Sequence, residues 1–364
     1  MTRASTRTRV VTRHAPGKLF IAGEYAVVEP GQPAILVAVD RTVSVTVSDA
    51  DSGVVVVSDL CPHGARLRWR DGGLAGCDPE SERLARGGLA HVVSAIEVLA
   101  ELGLAVPASH VSVTSRLHEG GTKFGLGSSG AVTVATVAAV AARLDLSLSP
   151  DARFRLAMLA TARLDPNASG GDLAASTWGG WLAYRAPDRA AVLDLARRRG
   201  VAATIRLPWQ GFAVRRLPPP DRLVLEVGWT GTPASTNTQV SKLDSWRGGP
   251  AHREFLVHSA ECVRSVERAL ENGDHLVLLQ QIRAARQLLA GLDREAGVGI
   301  FTDRLTALCD AAEAEDGAAK PSGAGGGDCG IALLDAEAAP RLRERWAAAG
   351  VRPLPVSPTK GIGE

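Results

Sequence analysis

The stretch Lys123-Phe124-Gly125-Leu126-Gly127-Ser128-Ser129-Gly130-Ala131 runs straight into Val132-Thr133-Val134-Ala135-Thr136-Val137-Ala138-Ala139-Val140, which is small and apolar on every side. A helix without a polar face has to be buried. Glycines and serines at the start of such a helix form a phosphate cradle in physical terms. Glycine lets the main chain approach an anion, successive N–H groups point at it, and the helix N-terminus adds about half a positive charge. The serine hydroxyls suit phosphate oxygen or a hard cation such as Mg2+. The plainer reading is a turn whose serine caps a core helix. GxxxxGK followed by Ser or Thr is absent, so this is not a P-loop.

Upstream, Ala15-Pro16-Gly17-Lys18-Leu19-Phe20-Ile21-Ala22-Gly23-Glu24 embeds a lysine in apolar sequence, where an unpaired ammonium is expensive. It calls for an acidic or phosphate partner. Asp172, in Ser169-Gly170-Gly171-Asp172-Leu173-Ala174, is the best candidate acid. Downstream, Ser322-Gly323-Ala324-Gly325-Gly326-Gly327-Asp328 places four glycines in five positions just before the apolar run 329–334. That entropy cost implies close approach of the backbone to something. Lysine is scarce: five of the 41 basic residues, at 18, 123, 242, 320 and 360. A compact ammonium suits phosphate as a point charge.

The 364 residues, 45% hydrophobic and 22% charged, describe a globular chain long enough for two domains. A net charge of +2 excludes a nucleic-acid or membrane-surface partner recruited by bulk electrostatics. No apolar stretch approaches the ~20 residues that cross a bilayer. Five widely spaced cysteines show neither CxxC nor zinc-site spacing, so a reducing cytoplasm is the expected home.

Short strands are expected at 10–12, 19–22, 34–39 and 42–47, the last alternating strictly. Helical spacing covers 84–102 and 153–164, with longer helices around 251–271, 274–290 and 303–315. Further strands are expected at 111–115, 178–184, 223–227 and 329–334, with a loop at 165–171. Leu217-Pro218-Pro219-Pro220 reads as a linker, dividing the chain into domains 1–217 and 218–364. Few parallel βαβ signals are present, which favours an α+β fold. Trp178, Trp181 and Trp229 read as core or hinge packing.

Together the three glycine segments resemble, in order and spacing, the three motifs of the GHMP kinases. Gly228-Trp229-Thr230-Gly231-Thr232-Pro233-Ala234-Ser235-Thr236 and the run Lys320 to Gly330 are similar to segments of that family as well. One departure is Gly121, where the family's second motif usually opens with proline.

The resemblance implies a two-domain enzyme: an amino-terminal domain similar to ribosomal-protein S5 domain 2, a ferredoxin-like carboxyl-terminal domain, and ATP with Mg2+ between them. It implies ATP binding by Lys123, Gly125, Leu126, Gly127, Ser128, Ser129 and Gly130, with Ser129 also holding Mg2+. Lys18 and Asp172 would be catalytic. Lys18, His14, Ser169, Asp172, Ser235, Thr236, Gly325 and Gly326 would meet a small-molecule acceptor. The implied protein is a monomer or homodimer.

Phosphates raise the pKa of a neighbouring lysine, so Lys18 is expected to clamp rather than abstract a proton. A phosphate monoester acceptor, with its second pKa near ~6, needs no strong base. An alcohol would require Asp172 to take a proton. The choice rests on cations for a second phosphate: Lys123 first, and Lys320 behind it. A silent nucleotide-binding regulator on the same fold is the reading from another class, and it has no need of the Lys18 and Asp172 pair.

Overall fold

The computed structural model describes residues 9–234, 236–243 and 246–361, without the side chains of 236–238. Its first half is built on strands β1 (Val11–Ala22), β2 (Pro33–Asp49), β3 (Val54–Ser58), β4 (Cys61–Arg70), β5 (Gly73–Gly76) and β6 (Ser109–Ser115). A small hairpin of β7 (His118–Glu119) and β8 (Thr122–Lys123) follows, then β9 (Trp181–Arg185) and β10 (Ala213–Leu217). The helices are α1 (Pro79–Arg86), α2 (Ala90–Ala100), α3 (Ser128–Arg143), α4 (Pro150–Leu164), α5 (Gly171–Trp178), α6 (Arg189–Arg199) and α7 (Val201–Thr204).

Eight of these strands form one sheet in the order β10-β9-β2-β6-β3-β4-β5, with β1 on the other edge of β2. Only β3 and β6 pair in parallel among its described strands. The long β2 pairs with β9 at 33–37 and with β6 at 43–49, so it ties both wings of the sheet together. Its first half is buried throughout, whereas Val43, Val45 and Val47 alternate with half-buried polar neighbours.

The second half contains β11 (Leu223–Trp229), α8 (Thr236–Ser241), α9 (Pro250–Asn272), α10 (His275–Ala296), α11 (Asp303–Glu313), β12 (Ala318–Pro321), β13 (Cys329–Asp335), α12 (Ala339–Ala348) and β14 (Arg352–Pro353). The order β12-β13-β11-β14 is the arrangement of a ferredoxin-like β-α-β-β-α-β unit. Leu308, Cys309, Leu342 and Trp346 of α11 and α12 pack with Ala319, Ala332 and Leu334. Ile331 and Leu333 instead join one apolar cluster with Val263, Leu270 and Ile282 and with the core of the first half. The largest apolar cluster among the described residues therefore runs through both halves, with smaller ones beside it.

Four local expectations are corrected. The pairs of short strands at 10–12 and 19–22, and at 34–39 and 42–47, are two long ones. Pro16 is tolerated in β1 because the register shifts there, between Pro16 and Gly17, and the Lys18 amide bonds a loop carbonyl instead of a strand. The helical spacing over 84–102 belongs to two helices broken at Gly87-Gly88, the first capped by Asp78, whose Oδ1 accepts from Ser81 N at 2.8 Å. Trp178 ends a helix instead of opening a strand, since Gly179-Gly180 separates it from Trp181. Finally, 357–359 lie on the first-half sheet: Thr359 N donates to Ala38 O at 2.9 Å and Asp40 N to Ser357 O at 2.9 Å.

Candidate active site

Three loops meet where β1, α3 and β13 approach one another. The Lys18 amide, just past the shift in β1, donates to Leu126 O at 2.9 Å, so the glycine-serine loop lies along the edge of that strand. Ser322 Oγ, at the head of the third loop, accepts from Phe20 N at 2.9 Å and donates to Phe20 O at 3.1 Å. Asp328, at that loop's tail, rests against Gly125. Segments about 300 residues apart, 302 between Phe20 and Ser322, are thereby held side by side.

Gly125 and Gly127 have φ of 81° and 75°. Gly127 is the N-cap of α3 and brings no side-chain cap, so the serine-capping alternative does not hold. Ala131 N is the first amide to bond back, to Gly127 O at 3.1 Å. The amides of Ser128, Ser129 and Gly130 have no hydrogen-bond acceptor among the described residues and lie at the positive end of a 16-residue helix.

Lys18 is 8% exposed. Its Nζ donates to Gly125 O at 3.3 Å, and no carboxylate of the described residues lies within ion-pair distance of it. Burial pushes its pKa down, while Asp172 and then Asp328 pull it back up. Asp172 is therefore not a direct ion-pair partner.

The two side chains instead flank the same glycine. A Cβ on Gly127 would stand 2.9 Å from Lys18 Cγ and 3.3 Å from Asp172 Cβ, and one on Gly130 would stand 2.5 Å from Asp172 Cγ. Asp172 occupies the first turn of α5, so the chain is already helical where the 165–171 loop ends.

Lys123 is exposed on β8 beside the cradle. Lys320 is corrected: it is wholly buried, ion-paired to Glu24, and donates to Pro321 O at 2.8 Å, so it is not available to a phosphate. His14 is exposed on β1 four residues before Lys18, with Nδ1 2.7 Å from Ser44 Oγ. Ser169 precedes α5, its carbonyl accepting from Tyr184 OH at 2.6 Å.

Gly325 and Gly326 pack against 299–300, and Gly326 N donates to Ile300 O at 2.8 Å. Ser235 and the Thr236 side chain lie outside the described residues.

Asp328 is a site residue that the sequence reading did not single out, although its place after the glycine run is a signal. Its Oδ1 accepts from Ala234 N at 2.9 Å and its carbonyl from Thr230 N at 2.9 Å, which pins the 230–234 segment to the cradle. Burial raises its pKa; the Ala234 amide, Lys18 and Lys123 act against that rise. Below the cradle, Phe124 meets Trp229 edge-on at 5.4 Å and lies under the Arg41 guanidinium at 4.8 Å, so Trp229 has a packing role.

An uncapped helix N-terminus, a buried ammonium and carboxylates from both halves of the chain thus converge on the glycines of one loop, an arrangement suited to phosphate. The chain belongs to the GHMP kinase family. The family profile for the GHMP kinases N terminal domain matches residues 90–180, and that for the GHMP kinases C terminal domain matches 266–352.

The chain is 65% identical to the phosphomevalonate kinase of Streptomyces sp. (strain CL190), over 97% of this chain and 98% of that protein. The structure of Streptococcus pneumoniae phosphomevalonate kinase in complex with phosphomevalonate and AMPPNP superposes with a TM-score of 0.84 at 29% identity, covering 96% of this chain and 100% of that one. The mevalonate kinase of Pyrococcus abyssi is 28% identical over 89% of each chain.

Proposed function

We propose that the protein transfers the γ-phosphoryl group of ATP to (R)-5-phosphomevalonate, giving (R)-5-diphosphomevalonate and ADP in the mevalonate route to isoprenoids. The observation that carries this reading is the open first turn of α3, with Lys18 and Asp172 packed on its glycines. The 65% identical phosphomevalonate kinase supports the choice of acceptor.

In this reading the amides of Ser128, Ser129 and Gly130 receive the ATP phosphates, and Lys123 adds an exposed ammonium beside them. Lys18 neutralises charge spreading over the transferred group. An oxygen of the acceptor phosphate attacks the γ-phosphorus as the bond to the β–γ bridging oxygen breaks. The acceptor arrives ionised, so no strong base is required and Asp172 keeps Lys18 and the acceptor aligned.

Mg2+ fits the donor set here, because the Ser129 hydroxyl oxygen has no partner among the described residues and a hard cation held mainly by phosphate oxygens and water needs few protein ligands. When bound, it would neutralise part of the phosphate charge. Gly325 and Gly326 keep the third loop close, while His14, Ser169, Ser235 and Thr236 remain candidates to touch the acceptor. Every group invoked comes from one chain, so a monomer and a homodimer carry the reading equally. The five cysteines are unpaired, which suits a cytoplasmic enzyme.

Initial rates of ADP release with MgATP and either phosphomevalonate or mevalonate test the proposal. Turnover of phosphomevalonate at least a hundredfold faster is expected. A preference for mevalonate, or ADP release that neither acceptor stimulates, overturns it.

A further inference from the structure

Just after β1, Glu24-Tyr25-Ala26 makes a turn that the site above does not use. Tyr25 has φ 62° and ψ −52°, and Ala26 N closes onto Glu24 O at 2.6 Å. This is a three-residue γ-turn of the positive-φ kind, which is rare and strained for a residue with a Cβ. Such a conformation persists where its surroundings over-determine it.

Those surroundings lie in the second half of the chain. The Tyr25 ring is buried in a cluster with Leu243, Phe255, Val298 and Ile300. Its hydroxyl donates to Ala324 O, in the middle of the third glycine loop. Burial raises the phenol pKa, so the hydroxyl keeps the proton it donates. Glu24, beside it, ion-pairs with Lys320 at the entrance to the same loop. Adjacent residues thus grip the loop at two points, and between them a Cβ on Gly323 would lie 3.8 Å from Lys18 Nζ.

We propose that Tyr25 is a positioning residue for phosphoryl transfer, holding the Ala324 carbonyl so that the third glycine loop stays seated against the Lys18 ammonium. The inference rests on Lys18 acting as the phosphate clamp. It explains why the strained turn is kept, since β1 then carries Lys18 and, seven residues on, the chain presents the group that fixes the loop opposite it.

Tyr25→Phe keeps the ring in its cluster and removes only the hydroxyl, so the full-length variant is suited to the test. Hydrogen exchange, which needs no turnover, is expected to speed up at least tenfold in peptides spanning 322–328 and to stay unchanged in α3. With MgATP and phosphomevalonate, kcat is expected to fall at least tenfold while both KM values stay within threefold. A loop exchange rate within twofold of the wild type overturns the proposal. So does a kcat within twofold, whatever happens to the melting temperature. If the wild type itself fails to turn over phosphomevalonate, the functional reading fails, and the exchange measurement still decides whether Tyr25 holds the loop.

Discussion

The Asp328 carboxylate, carried by the second half of the chain, lies on Gly125 of the first: a Cβ at Gly125 would stand 2.6 Å from Asp328 Oδ2. Glycine is required there twice, once by its φ of 81° and once by this close approach. Gly125→Ala forces Asp328 away from the Ala234 amide. The expected result is a rise in KM for MgATP of at least tenfold with a loss of about 1–2 kcal/mol in unfolding free energy from the left-handed conformation. Steady-state kinetics and urea melts check it; wild-type KM would remove the cradle from the nucleotide site.

Lys18 is held in the fold at a cost. Replacing it by methionine removes a buried ammonium that has no ion-pair partner among the described carboxylates. Lys18→Met is therefore expected to melt about 2 °C or more above the wild type in the absence of ligand. Turnover is expected to fall by at least ~3 kcal/mol of transition-state stabilisation. Calorimetry together with kinetics checks the pair, and a variant both less stable and fully active would contradict both statements.

The same burial sets a pH dependence. Lys18 clamps phosphate only as the ammonium, and its pKa in the fold lies below the ordinary lysine value. The kcat/KM profile of the free enzyme is expected to fall on its alkaline side earlier than an unperturbed lysine would allow. Stability moves the other way. Between the lowered folded pKa and the unfolded one near ~10.4, the unfolded chain binds more protons, so Lys18 contributes a stability that rises with pH. An alkaline limb unchanged in Lys18→Arg would assign the titration to another group.

Glu24 and Lys320 form a buried pair across the two halves, with side chains 2% and 0% exposed. Removing one partner strands a charge, so Lys320→Met is expected to cost about 3–5 kcal/mol. The double variant Glu24→Leu with Lys320→Met is expected to recover much of that. Chemical denaturation checks the cycle; equal losses in single and double variants would mean that packing, and not the unpaired charge, dominates.

Lys123 is exposed, and Lys123→Ala is expected to leave the melting temperature unchanged. A hydrogen bond from an ammonium to a phosphate oxygen is worth about 1.5–3 kcal/mol, so KM should rise at least tenfold for whichever phosphate Lys123 meets. A rise confined to phosphomevalonate places it on the acceptor, and a rise confined to ATP on the nucleotide. No rise for either removes it from the site.

Much of the candidate site is legible in the sequence because glycine-rich runs beside apolar residues have few structural uses. The 125–130 cradle, Lys18 and Asp172 can be read from residue type and context. The length of β1 cannot, since Pro16 looks like a terminator until its place beside a register shift is known. Nor can the fate of Lys320: from sequence it is one more lysine near glycines, and only the fold brings Glu24, 296 residues away, to neutralise it. Tyr25 escapes for the same reason, as its partner Ala324 lies in the opposite half of the chain, while Asp328 offers only the hint of its place after the glycine run.

The apolar cluster shared by the two halves has a bearing on how far they can move apart. Prising the halves apart would wet Ile331, Leu333, Val263 and Ile282 where they meet the first-half core, at a cost of roughly 25 cal/mol for each Å² of apolar surface exposed. Wide separation of the halves is therefore disfavoured, and a chain cut at Leu217 should yield two fragments whose bared apolar faces drive them to associate when mixed.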